Sequence, residues 1–118
     1  PGFFYRPTVL TGVTTQMRAG VEEIFGPVAV VEVVADLAEA IAVGNDTPWG
    51  LGSSIWAEDE AEQRQAIEGL DAGMVFVNAI VASTPELPFG GTKRSGYGRE
   101  LADVGMYEFC NQKTIFVA

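Results

Sequence analysis

Short apolar runs alternate with amphipathic stretches along most of this chain. Residues 28–34, "VAVVEVV", are almost wholly apolar and rich in β-branched side chains, which predicts a strand covered on both faces. Asp36 follows, with Glu39 three residues on, the capping-box spacing of a helix start. Leu37, Ala40, Ile41 and Gly44 then fall on one helical face, and Asn45-Asp46-Thr47-Pro48 stops the helix. Residues 50–56, "GLGSSIW", predict a second strand. Glu58, Asp59 and Glu60 put negative charge where the N-terminal dipole of the next helix favours it. That helix runs to about Glu68, and Gly69 and Gly73 bracket the turn after it. Residues 74–78, "MVFVN", predict a third strand.

Strand, helix, strand, helix, strand is an α/β pattern, expected to give a parallel sheet with right-handed crossovers. A long loop follows Asn78. A helix is then predicted from about Arg99 to Phe109, with Leu101, Val104, Gly105 and Phe109 on one side. Residues 113–117, "KTIFV", close the chain as a strand with no sequence neighbour to pair with. Such an edge must be covered. Pairing inside this domain and pairing with another segment or subunit are both open on the residues alone.

Composition narrows the function classes. With 118 residues the chain is the size of one domain, and 47% hydrophobic residues and a mean hydropathy of +0.18 are rich for its length. A formal charge of −9 argues against polyanion partners, so nucleic-acid binding is not expected. Cys110 is the single cysteine and there is no histidine, which excludes a four-ligand zinc site and favours a reducing, cytoplasmic compartment. No apolar run approaches the ~20 residues that cross a bilayer, so no membrane partner is expected. The start, Pro1-Gly2-Phe3-Phe4-Tyr5, has no methionine and no signal peptide, and is expected of a segment of a longer protein.

Two stretches carry candidate chemistry. The first, residues 85–100, "PELPFGGTKRSGYGRE", suggests a phosphate cradle. The spacing excludes it. Lys93 precedes Ser95-Gly96, the wrong order for a Walker loop, and Leu101 stands beyond Gly96-Tyr97-Gly98 where a dinucleotide fingerprint needs glycine. Gly90-Gly91 could instead close a turn tightly and hold Phe89 as a pocket wall, although the residues alone favour an ordinary core position for Phe89. The second stretch is "EEIFGPV", residues 22–28. Gly26-Pro27 stiffens the entrance to the first strand and would place Glu23 and Phe25 there. A carboxylate in that position could accept hydrogen bonds from a ribose diol, the alternative being a solvated glutamate beside a packed phenylalanine. Paired acid–base work by Glu22 and Glu23 is disfavoured, because neighbours in an extended segment point to opposite faces.

In order along the chain, "EEIFGPV", "GLGSSIWAEDE", "GMVFVN" and "ELPFGGTKRSGYGRE" resemble the carboxy-terminal part of the aldehyde dehydrogenase superfamily, and the similarity covers essentially the whole chain. "STPELPFGG", "KRSGYGREL" and "EFCNQKT" are most similar to the succinate-semialdehyde dehydrogenase branch. The resemblance implies that residues 1–111 belong to the catalytic domain, with its parallel β-α-β sheet, and that residues 112–118 form an oligomerisation strand joining like subunits. It implies oxidation of an aldehyde with NAD or NADP, through a cysteine thiolate, hydride transfer and a glutamate-activated water. On the same basis Glu23 would bind the nicotinamide ribose hydroxyls and Phe25 would pack near the nicotinamide. Phe89 would wall the substrate funnel, and Ser83 would offer a hydroxyl to the far carboxylate of succinic semialdehyde. The nucleophile, the general base and the cofactor domain lie upstream in the family. No catalytic residue is therefore expected in this chain, and Cys110 is assigned to structure. Ala79-Ile80, where relatives often carry Asn-Gly, and Thr84 beside Ser83 are departures.

The chain alone is accordingly expected to be inactive. The alternative is a truncated, non-catalytic relative acting as a subunit-association module. An excised segment also bares surface: even ~400 Å2 of apolar area forfeits about 10 kcal/mol, so the isolated chain is expected to associate or fold marginally.

Overall fold

The computed structural model describes residues 2–118; Pro1, which opens the sequence-predicted 1–111 segment, lies outside them. The chain divides into two units, Pro1–Asp36 and Leu37–Ala118.

In the first unit, strand β1 (Thr8–Thr11) pairs in parallel with β2 (Val28–Val31), with Thr8 opposite Val28 and Thr11 opposite Val31. A single-turn helix, α1 (Arg18–Val21), lies between them in sequence. Both strands alternate half-buried and exposed positions, the period-2 signature of a sheet with one covered face. The predicted 28–34 strand is therefore shorter than expected and, within this unit, covered on one face only; Val33 is 96% exposed. Its pairing partner ends at Thr11, so no ladder is left to extend it.

The second unit contains the predicted β-α-β element. Helix α2 (Leu37–Asn45) begins directly after Asp36. Strand β3 (Trp49–Gly50) and strand β4 (Gly52–Ile55) divide the stretch predicted as one strand. Helix α3 (Glu60–Gly69) leads to β5 (Met74–Val77), which pairs with β4 in parallel, Gly52 opposite Met74. The acidic run before α3 has a specific use: Asp59 is the N-cap, its carboxylate accepting from the amides of Ala61 (2.8 Å) and Glu62 (3.0 Å). The segment after Asn78 is not all loop, since β6 (Thr92–Lys93) returns to pair antiparallel with β3. Among the described residues the sheet is thus three two-stranded pieces rather than the single parallel sheet expected.

One further expectation is corrected. Helix α4 spans Ala102–Tyr107, not 99–109, because Glu100 bridges back to Phe89 and Leu101 takes a left-handed φ of 63°. Residues 113–117 pair with nothing among the described residues, and Phe116 is 86% exposed. Among the described residues only Ala66 and Met74 are buried apolar side chains, at 2% and 9% exposure. A chain this apolar normally hides far more.

Candidate functional site

The two candidate stretches fall in different units, and each is built differently. In the first unit α1 ends at Val21 and the chain extends through Glu22 towards β2. Arg18 grips Glu22 one helical turn on: Nε donates to Oε1 at 2.9 Å and Nη2 to Oε2 at 2.7 Å. Hydrogen bonding to Glu22, then the charge of that carboxylate, raises the Arg18 pKa; the same hydrogen bonds hold the Glu22 carboxyl below its ordinary value. Glu22 is thereby committed. Glu23, the next residue, is exposed and its side chain makes no hydrogen bond or ion pair among the described residues. Phe25 is 92% exposed, ahead of Gly26-Pro27, whose carbonyl at Pro27 receives the Thr8 amide at 2.9 Å. A carboxylate with open lone pairs beside a bare aromatic ring suits a hydroxyl-bearing, flat-ringed ligand.

In the second unit Ser83 and Phe89 lie on the segment between β5 and β6. Asn78 starts it in a left-handed turn (φ 52°), its side chain pairing with Ala57 like one more strand residue: Oδ1 accepts from the Ala57 amide at 3.0 Å and Nδ2 donates to the Ala57 carbonyl at 2.9 Å. Ser83 is exposed. Phe89 is half-buried, its amide and carbonyl both bonded to Glu100 at 2.8 Å.

The glycines of the following loop serve close approach more than special angles. Neither Gly90 nor Gly91 has a positive φ; a Cβ on Gly90 would meet the Gly98 carbonyl at 2.7 Å, and one on Gly91 would meet Ser95 Cβ at 2.5 Å. That corrects the expected turn-closing role of the pair. Left-handed geometry falls instead on Gly96 and Gly98, with φ of 123° and 75°.

Two of the loop's three cations turn back onto the chain, while Arg94 is exposed. Lys93 donates to the Asn45 carbonyl at the end of α2 (3.0 Å) and lies 3.4 Å from Asp71. Arg99 Nη1 donates to the carbonyls of Gly91 (2.9 Å) and Gly98 (2.7 Å). Ser95 Oγ accepts from the Gly50 amide at 3.0 Å. A phosphate would find these groups already engaged, in agreement with the spacing argument. A shallow cavity of about 390 Å3 lies against the loop, with Leu51, Phe89, Tyr97 and Phe109 among its lining residues. Among the described residues no cluster of acidic, cysteine or histidine side chains could hold a metal. Cys110 is exposed, its thiol 3.4 Å from the Met106 carbonyl. The sequence reading overlooked Arg99 and Glu108; an arginine directly after glycine, with a carboxylate nine positions on, is a weak signal without the loop's closure in view.

The fold is of the α/β class. The chain belongs to the aldehyde dehydrogenase family, whose model matches residues 1–115. Relatives include the succinate-semialdehyde dehydrogenase [NADP(+)] 1 of Mycobacterium ulcerans, 57% identical over 99% of this chain. The succinate-semialdehyde dehydrogenase [NADP(+)] of Mycobacterium leprae is 52% identical over the whole chain. This chain spans 26% of the length of each. Among solved structures, succinic semialdehyde dehydrogenase from Streptococcus pyogenes, in complex with NADP+, is similar with a TM-score of 0.92 and 40% identity, covering 98% of this chain and 26% of its own. Betaine aldehyde dehydrogenase from Staphylococcus aureus, in complex with NAD+, gives a TM-score of 0.87 at 38% identity, over 92% of this chain and 21% of its own.

Proposed function

We propose that this chain forms the C-terminal part of an NAD(P)-dependent aldehyde dehydrogenase that oxidises succinic semialdehyde to succinate. The observation that carries this reading is the 57% identity over 99% of the chain to a succinate-semialdehyde dehydrogenase. The geometry supports it: Arg18 occupies Glu22, while Glu23 keeps its oxygens open beside an uncovered Phe25.

In that enzyme Glu23 accepts hydrogen bonds from the nicotinamide ribose diol, each contributing about 1.5–3 kcal/mol because one partner is charged. Phe25 restricts the nicotinamide end. The cofactor, when bound, supplies the hydride acceptor. Phe89 forms one wall of the aldehyde's channel, and the Ser83 hydroxyl donates to the substrate's distal carboxylate. The nucleophilic cysteine and the general base come from the remainder of the polypeptide, so residues 1–118 by themselves are inactive. Residues 112–118 serve as the oligomerisation strand, a reading supported by their apolar, unpaired and exposed state. The lone thiol supports a reducing, cytoplasmic setting.

The test uses the full-length protein bearing this segment. NADP+ or NAD+ reduction driven by succinic semialdehyde, faster than by propanal, is the expected result. No reduction with any aldehyde would overturn the proposal. Turnover by the isolated 118-residue chain would overturn its inactivity. A full-length product no longer than this chain, assembling through 112–118, would favour the association module instead.

A further inference from the structure

The geometry points to Arg99 as the positioning residue for Phe89, and through Phe89 for which aldehydes the channel accepts; this rests on the function proposed above. Phe89 is held at its own backbone by the reciprocal pair of 2.8 Å bonds to Glu100. Arg99 sits beside that bridge and turns its guanidinium back across the loop. One nitrogen, Nη1, holds the Gly91 carbonyl at 2.9 Å, two residues beyond Phe89, and the Gly98 carbonyl at 2.7 Å. The backbone that carries the ring is therefore anchored at Phe89 itself and two residues beyond it.

Packing enforces the same arrangement. Arg99 Cδ would lie 2.9 Å from a Cβ at Gly90, so the arginine stem passes directly over bare glycine backbone. Glu108, returning from the end of α4, accepts from the Arg99 amide at 3.3 Å and fixes the residue's own main chain. Lys93 does not take over, because it is engaged with Asn45 and Asp71. Hydrogen bonds from a charged donor to two half-buried carbonyls are the stronger kind, and removing the donor leaves both carbonyls short of a partner. A small rotation of the Phe89 backbone would then move the ring, and misplacement by about 1 Å is enough to alter reactivity.

The test is a double-mutant cycle in the full-length enzyme, read with succinic semialdehyde, propanal and NADP+. Arg99→Met is expected to raise KM for succinic semialdehyde about tenfold relative to propanal, with kcat and KM for NADP+ changed less. Phe89→Ala is expected to do the same, and adding Arg99→Met to it should change KM less than about twofold further, since the first change acts through the second residue. Arg99→Lys, which retains a charged donor, is expected to fall between. Multiplying effects in the double variant overturn the inference, as does an equal loss towards both aldehydes and NADP+ together with a lowered melting temperature. If Arg99→Met does not fold, Glu108→Gln replaces it in the cycle, with a smaller expected change and the same non-additivity. A wild-type enzyme inactive on every aldehyde overturns the proposed function and this inference together; an active one with independent effects overturns only this inference.

Discussion

The α1–β2 turn and the 89–100 loop both combine charged residues with glycine, yet they use these residues in opposite ways. In the loop, Lys93 and Arg99 turn inward onto carbonyls and the glycines let backbones touch. In the turn, one carboxylate is tied down by Arg18 while the next stays open, and Gly26 has nothing within 4 Å of its absent Cβ. A charged residue in a glycine-rich stretch is thus no guide to ligand contact until its hydrogen bonds are traced. The loop is a self-satisfied frame; the turn presents groups outward.

That contrast can be broken most sharply at the glycines. Gly73 packs against the Gly90 carbonyl so closely that any Cβ would overlap it. Gly73→Ala in the full-length enzyme should cost about 3 kcal/mol or more, because backbone cannot move aside as a side chain can. Gly26→Ala should cost under about 0.5 kcal/mol by the same thermal melts. Equal losses at the two positions would mean that close approach is not what the loop glycines provide.

Next in size is the division between neighbouring carboxylates. Glu23→Gln is expected to raise KM for NADP+ about tenfold or more, through weakened charge-assisted hydrogen bonds. Glu22→Gln should leave that KM nearly unchanged. Comparable effects would assign cofactor binding to the pair rather than to Glu23.

The smallest effect is a titration. Glu22 has its folded pKa lowered by Arg18, so its contribution to stability is present above the unfolded carboxyl value and fades as pH falls through the lower folded value. Both side chains are exposed, so this contribution is screened by salt. NMR titration should show the Glu22 carboxyl below the ordinary range, returning to it in Arg18→Gln. An unchanged titration in that variant would show that the ion pair does not persist in solution.

The strands at 28–31, 52–55 and 74–77 and helices α2 and α3 were legible because each carries its period locally. With two residues, β6 carried too little pattern to be seen; β1 was also missed, although it is as long as β2, β4 and β5. Glu23 and Phe25 stood out through their motif, whereas Arg99 did not, because its partners are carbonyls and carbonyls leave no mark in a sequence.

By itself the amino-acid sequence determined the kinds of local structure, the acidic cap of α3, the exclusion of a phosphate cradle and the resemblance to a dehydrogenase family. Each of these depends on residue type and short-range spacing. Only the structure decided that β2 pairs with β1, that Lys93 is consumed by the distant Asn45 carbonyl, and that the Arg99 and Arg18 side chains turn onto the nearby Gly91 and Gly98 carbonyls and the Glu22 carboxylate. Hydrogen bonds between positions far apart, and the directions of individual side chains, depend on how the chain closes on itself, and local periodicity does not encode that.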